Sequence, residues 1–347
     1  MSGNAEQSKI AFAALLAVLL YRLQDERCRL RREKQANRDF RDGSGEMFEL
    51  VAPRYDLLNT IISFGLHKRW KRKAVDLALR PILSTAPDDL QLEVLDLATG
   101  TADLAIDIAQ RYGAYVRHVV AVDPSTRMLE NARRKVMDAK VSEKVRLYTG
   151  VAEELPSEWS DRFDVCMIGF GVRNFADRMK ALSEVYRVLK KRKPIGDVKS
   201  REGGRLVILE LIEPRNRNLA APFGRFFLRT CVPLLGALFS LRLREYSYLQ
   251  KSAREFPPID EFTQRMQMEC GLETTHVKQL GPFGLGPTLL VAKPEVKLQS
   301  LEKPGSSGTD TLSTNDSEPK SEIEQSCDAG RSSSDDPQRV INISQNA

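Results

Sequence analysis

Residues 95–104 read LDLATGTADL. An apolar run suited to a strand ends in an acid, passes through small residues and opens onto the start of a helical pattern. Outward from this turn, strand-like runs recur: EVLDLA at 93–98, VRHVVAV at 116–122, VRLYTG at 145–150, FDVCMIG at 163–169 and GRLVILELI at 204–212. Helical patterns lie between them, around 102–112, 125–139 and 177–191. In the last, Ala181, Leu182, Val185, Val188 and Leu189 share one apolar face at 3.6-residue spacing. Continuous apolar strands separated by helices predict a mostly parallel sheet covered on both faces. The right-handed crossover rule makes it a doubly wound α/β sheet. Such sheets bind ligands beyond the carboxyl ends of their strands, so the 95–104 turn is the expected ligand turn.

The residues of the turn limit what it holds. A dinucleotide fingerprint would read G-x-G-x-x-G, its glycines admitting a pyrophosphate. Here the run is Ala98-Thr99-Gly100-Thr101-Ala102-Asp103. Gly100 permits close backbone approach or a positive φ. Asp96 and Asp103 make a poor wall for a pyrophosphate and a better one for a cation. S-adenosylmethionine carries a sulfonium, an ammonium and a ribose, and no phosphate. Asp123, within VAVDPS, ends the second strand, where an acid can accept hydrogen bonds from both ribose hydroxyls. The competing structural role for Asp123 is a helix N-terminal acid beside Pro124, stabilised by the helix dipole.

The chain has 347 residues, 41% hydrophobic and 29% charged, an ordinary balance for a globular protein. Its net charge of +6 suits an anionic surface or nucleic acid, or simply an uneven basic exterior. The five cysteines are scattered, with no C-x-x-C pair or histidine cluster, so no metal site is expected. Residues 1–42 read as a targeting or membrane-anchoring extension, 43–293 as the globular domain and 294–347 as a disordered polar tail without aromatic residues. The apolar run IAFAALLAVLLY at 10–21 would be roughly 18 Å long as a helix, short of the about 30 Å bilayer core.

YDLLNTIISFGLHKRW at 55–70 matches the signature Y-D-x-M-N-x-x-[LIVM]-S-x-x-x-H-x-x-W except at Leu58. RVLK at 187–190 with GGRLVILEL at 203–211 resembles a second signature, and GFGVRNF (169–175) and EYSYLQKSAREFP (245–257) resemble further blocks. On these residues the chain resembles the ubiquinone/menaquinone biosynthesis C-methyltransferase family, from about Met47 to Lys293. The resemblance implies a class I, Rossmann-like, seven-stranded S-adenosylmethionine-dependent methyltransferase acting on a polyprenylated quinol. It implies cofactor contacts at Thr101, Asp123, Val151 and Ala152, the last two just before Glu154-Leu155-Pro156. Gly169 falls where benzoquinol-type members often carry serine and menaquinone-type members glycine. One departure is a polar insertion at 191–202, read as a solvated loop.

Ring methylation of a quinol needs a phenolate-like oxygen, and an unperturbed phenol has a pKa of about 10. Arg173 and Asn174 directly follow the fourth strand, and the Arg173 guanidinium is the first candidate to stabilise that oxygen. Its structural alternative is a salt bridge to Asp177 or Asp103. Tyr55, Asn59 and His67 come from the N-terminal block, and His67 is a candidate base whose alternative is packing near Trp70. Cys166 reads as core. A prenyl tail implies access from a membrane surface, with LAAPFGRFFLRTCVPLLGALFSLRL (219–243) as a candidate tail channel or interfacial segment. The expected setting is organellar: the matrix side of the mitochondrial inner membrane, with a plastid as alternative, and a quinone-biosynthesis complex as partner. A non-catalytic cofactor-binding scaffold and a nucleic-acid methyltransferase are the competing readings. Nucleic acid is not expected, because no N/D-P-P-Y motif, Pro-Cys loop or aromatic-studded basic stretch is present.

Overall fold

In a computed structural model, the chain is described at residues 55–85, 87, 89–191, 203–213, 243–281 and 286–295, with isolated positions 21, 24, 47–49, 52, 222, 226 and 230. The five apolar runs form five strands: β1 (Leu92–Leu97), β2 (Val116–Asp123), β3 (Val145–Thr149), β4 (Val165–Gly169) and β5 (Arg205–Glu210). Two more close the sheet, β6 (Leu272–Gln279) and β7 (Thr288–Pro294). The order is β3-β2-β1-β4-β5-β7-β6. The first five strands pair in parallel, whereas β7 runs antiparallel to both β5 and β6.

Helices cover both faces. On one lie α2 (Leu66–Leu83), α3 (Asp103–Tyr112) and α4 (Thr126–Asp138), whose Val75, Ile108 and Leu129 meet Val94 and Val119 of the sheet. On the other lie α5 (Arg178–Val188) and α7 (Ile259–Cys270), whose Val185 and Phe262 meet Leu95, Val120 and Ile208. A strand buried on both faces cannot alternate apolar with polar, which is why β1 and β5 read as continuous runs. α1 (Tyr55–Ile62) precedes α2, and α6 (Leu243–Glu255) precedes α7.

The helix expected at 177–191 is shorter at both ends. Asp177 is its N-cap, accepting from the amides of Met179 and Lys180. Leu189 has left the helix and bridges in parallel to Phe163. The 10–21 run except Tyr21, the 191–202 insertion except Lys191, nearly all of 219–243 and the tail beyond Glu295 lie outside the described residues.

Candidate cofactor and substrate site

Register brings the strand ends together. Leu97 of β1 pairs with Val122 and Ile168, and Asp123 pairs with Thr149. The loops after β1 to β4 therefore leave the sheet at one level. The first loop reverses tightly, with Ala98 (φ 54°), Gly100 (φ 58°) and Ala102 (φ 63°) all left-handed. For the two alanines that conformation costs roughly 1 kcal/mol each, strain of the kind concentrated at ligand sites. The β4 loop fits against it only because Gly171 has no side chain. A Cβ there would stand 2.6 Å from the Cβ of Ala98.

Above these ends lies a cavity of about 240 Å³. Its floor is Leu97, Ala98, Val122, Gly150 and Gly169, and Val151, Ala152, Met128 and Phe175 make apolar walls. Phe48 and Tyr55 reach in from the N-terminal segment, and Asn174 from the turn after β4. Of the described lining residues only Asp123 and Glu153 are charged. The acidic wall expected of the site is present, but it is built from these two acids and not from Asp96 and Asp103. Glu153 carried no sequence signal. Its Oε1 accepts from the amides of Ala176 at 2.6 Å and Asp177 at 3.2 Å.

Asp123 is held by main chain on both sides. The Gly100 amide donates to Oδ2 at 2.8 Å and the Ser125 amide to Oδ1 at 2.9 Å. Each carboxylate oxygen keeps acceptor capacity toward the cavity. Burial raises the Asp123 carboxyl to about 6, against the opposing effect of these two amides. Asp123 serves both readings of the sequence at once: it fixes the entry to α4 and faces the cavity.

Five expected site residues sit elsewhere. Asp96 is fully buried beneath the loop and accepts from the Thr99 hydroxyl at 2.6 Å, and burial raises its carboxyl to about 7. Asp103 opens α3 and pairs with Lys71 at 2.7 Å and with Lys135. Burial alone would raise its carboxyl, but the two ammonium groups override that and hold it well below the usual range. Thr101 is buried and donates to Asp56 Oδ1 at 2.7 Å, while Lys135 donates to Thr101 Oγ1 at 2.9 Å and Asp56 Oδ2 at 2.7 Å. The loop's polar side chains are thus turned toward α1, α2 and α4, and they dock the segment that carries Tyr55. Asp56 lies in the Y-D signature with nothing to name its partners, and Lys71 and Lys135 belong to no motif. Their 32- to 79-residue separations from their partners hide the network.

His67 is also corrected. It is buried in α2, its Nδ1 2.7 Å from Ser63 Oγ, and burial lowers its pKa. It caps the α1–α2 turn and is not among the cavity-lining residues. Arg173 neither lines this cavity nor pairs with Asp177 or Asp103. Its guanidinium forms a buried ion pair with Glu210 of β5 and donates to the Phe170 carbonyl at 2.9 Å, while its own amide donates to Glu210 Oε2 at 3.1 Å. It ties the turn after β4 to the end of β5. Asn174, next to it, does face the cavity, and its Oδ1 accepts from the Tyr248 hydroxyl at 3.1 Å. Cys166 is buried in β4, as expected of a core residue, and burial pushes its thiol up.

A cavity whose described lining holds two carboxylates and no cation disfavours a pyrophosphate and suits a ligand with hydroxyls and positive charge. The reversed seventh strand separates this sheet from a dinucleotide-binding one in the same way. Both features define a class I S-adenosylmethionine-dependent methyltransferase. Residues 34–285 match the ubiE/COQ5 methyltransferase family, and the chain belongs to it. The demethylmenaquinone methyltransferase of Thermus thermophilus is 43% identical over 239 residues, 69% of this chain and 96% of that protein. The ubiquinone/menaquinone biosynthesis C-methyltransferase UbiE of Geotalea daltonii is 37% identical over 221 residues, 64% of this chain and 84% of that protein. A solved S-adenosylmethionine-dependent methyltransferase from Aquifex aeolicus, 15% identical, aligns over 63% of this chain and 92% of its own with a TM-score of 0.39. The protein is an S-adenosylmethionine-dependent C-methyltransferase.

Proposed function

We propose that the chain methylates a ring carbon of a polyprenylated quinol, and that its ring is a naphthoquinol of the demethylmenaquinol type. The observation that carries the choice of ring is Gly169. It lines the cavity, and a Cβ there would stand 2.7 Å from Leu104 Cδ1. Leu104 fills the space a serine would need, leaving an apolar floor without a hydroxyl for a ring substituent. Relatives named as demethylmenaquinone methyltransferases support the same reading.

S-adenosylmethionine, when bound, supplies an electrophilic methyl group on a sulfonium centre. Asp123 accepts hydroxyl hydrogens of its ribose, and Val151 and Ala152 pack on its apolar side. Gly100 lets the backbone come close. Tyr55 and Asn174 are the wall's uncharged hydrogen-bonding side chains, placed to hold the phenolic oxygen and favour its deprotonated form. Tyr248 fixes the Asn174 amide. Arg173 positions that turn through Glu210 rather than touching the ring. Phe48 and Tyr55 cover the cavity and exclude water.

We propose that the reaction runs at a membrane surface, which a prenyl tail supports, in an organelle and in company with other quinone-synthesising enzymes. Among the described residues no helix is long and apolar enough to cross a membrane. The deciding experiment is methyl transfer from radiolabelled S-adenosylmethionine to a short-tailed reduced benzoquinol or demethylnaphthoquinol. Labelled naphthoquinol is expected, favouring a plastid. Labelled benzoquinol would overturn the choice of ring and favour the mitochondrion. Label in neither would overturn the substrate class.

A further inference from the structure

Residues 64–73, FGLHKRWKRK, hold five cations and no acid. The structure separates these cations by role. Lys71 turns inward to Asp103, its side chain only 14% exposed. Lys68, Arg69, Arg72 and Lys73 are exposed around the first turns of α2. Trp70 packs against the core. At the head of this basic face stands Phe64, 78% exposed, with Leu57 of α1 59% exposed.

Phe64 is the unusual member. Its φ is 50°, a left-handed conformation that costs a non-glycine residue roughly 1 kcal/mol. The turn is closed by main chain, from the Gly65 amide to the Thr60 carbonyl at 2.8 Å, and by the Ser63 hydroxyl to the Asn59 carbonyl at 2.6 Å. A glycine would relieve the backbone. Of the nearby acids, Asp56 and Asp103 are already neutralised by Lys135 and Lys71, and Asp107, held by Arg111 at 2.6 Å, reaches only Arg72, at 3.8 Å. The cations of the tip therefore lack acidic partners of equal number. An exposed aromatic beside exposed cations is the pattern of interfacial membrane binding.

We propose that the α1–α2 tip, led by Phe64 and flanked by Lys68, Arg69, Arg72 and Lys73, docks this enzyme on an anionic lipid bilayer. The proposal rests on the reading above that the substrate is held in a membrane. Geometry connects the two. Tyr55, at the start of α1, lines the cavity, and α1 is about 12 Å long at 1.5 Å per residue. With Phe64 at the level of the acyl chains, the cavity stands on the order of 12 Å from them, the length of α1. A quinol ring can then enter while its tail stays in lipid.

The test is flotation of the full chain with vesicles of phosphatidylcholine alone or with 30 mol% phosphatidylglycerol, on the order of the anionic content of natural leaflets. The wild type is expected to float with the anionic vesicles and to be released by salt. At about fivefold per cation, K68Q/R69Q should weaken the partition coefficient about thirtyfold. Phe64→Ser should weaken it severalfold, with labelling of a soluble short-tailed quinol unchanged in both variants. Phe64→Trp adds a direct readout, because Trp159 is buried and Trp70 is packed on the core. Its emission should shift blue on vesicles and be quenched by brominated lipid. Vesicle binding equal to wild type in K68Q/R69Q and Phe64→Ser, or a Phe64→Trp signal blind to lipid, would overturn the tip as the docking surface. Preferential binding of the tip to nucleic acid over vesicles would overturn its partner. Failure of the substrate reading would show separately, as absence of label in the soluble quinol assay.

Discussion

Asp123→Asn isolates the cofactor-binding acid while keeping its shape. In the wild type, two backbone amides take one acceptor position on each oxygen, at 2.8 and 2.9 Å, and the remaining positions face the cavity. Asparagine replaces one oxygen by a donor. That NH₂ must confront either an amide of the loop or a ribose hydroxyl, and the negative charge is lost for both hydroxyls. Hydrogen bonds to a charged group contribute about 1.5–3 kcal/mol each. Losing one and weakening the other amounts to about 3 kcal/mol, or roughly 150-fold in Kd. Titration calorimetry at pH 7.5 would measure it. The same carboxyl predicts a pH profile. Burial raises it to about 6, and only the ionised form accepts two hydroxyls, so cofactor affinity should fall as pH drops through about 6. The stability of the free protein moves the other way. A folded-state pKa above the ordinary aspartate value of 3.8 means the native state holds a proton the unfolded chain releases, so Asp123 costs stability as pH rises from about 4 to about 6. The asparagine variant escapes that cost. It should bind poorly without melting early at neutral pH. An unchanged Kd, or a wild-type affinity flat from pH 5 to 8, would refute the assignment.

Arg173→Ala leaves Glu210 buried without its cation, which costs about 3–5 kcal/mol. A lower melting temperature and reduced turnover are expected with near-normal cofactor affinity by calorimetry, and full activity would remove Arg173 from the site. Gly169→Ser pushes a Cβ toward Leu104 Cδ1, an overpacking of about 1–3 kcal/mol. Chemical denaturation should show that loss and show it relieved in G169S/L104A. Asp103→Asn strips the counter-charge from Lys71 and leaves Lys135 with Asp56 alone, and should destabilise by about 3 kcal/mol at neutral pH. Because the folded-state carboxyl is depressed, its stabilisation is present above the ordinary carboxylate range and is lost as pH falls below it, so wild type and variant should converge in acid denaturation. Deletion of residues 300–347 should leave methyl transfer unchanged in the radiolabel assay.

The parallel half of the sheet was legible because burial on both faces writes itself as uninterrupted apolar runs. β6 was not legible, for the converse reason. LETTHVKQ lies at the sheet's edge with most side chains in solvent, and no two-residue alternation survives. α2 was hidden by its basic run, which breaks the apolar stripe even though Ala74, Val75, Ala78 and Leu79 are fully buried. Within the site, Asp123 could be placed from its strand end, and the family resemblance placed Val151, Ala152 and Gly169; all four line the cavity. Residues whose role depends on a distant partner could not be placed. Asp103 and Arg173 each carry a charge that the sequence offers to the ligand and the fold gives to a neighbour, Lys71 and Lys135 for one and Glu210 for the other.

That division follows from electrostatics. A cationic cofactor gains most from a carboxylate that no ammonium already neutralises. Asp103 and Asp56 are compensated by Lys71 and Lys135, so their charge is used to hold α1 against the loop. Asp123 is compensated only by backbone dipoles, which burial outweighs, and its carboxyl rises accordingly. Such a group binds a proton too readily when the cavity is empty, and a pair of ribose hydroxyls relieves it. The strain at Ala98 and Ala102 has the same logic, because the left-handed turns aim the Gly100 amide at Asp123 and leave the loop's side chains pointing away. If that is the design, moving the compensation should move the affinity. A lysine introduced at Val151, an exposed cavity residue, would give Asp123 and Glu153 an ammonium partner and place a like charge near the cofactor. Val151→Lys should lower the Asp123 pKa and weaken cofactor binding together, whereas Val151→Leu should change neither. A lysine variant that binds as tightly as wild type would show that the uncompensated charge of the cavity is incidental.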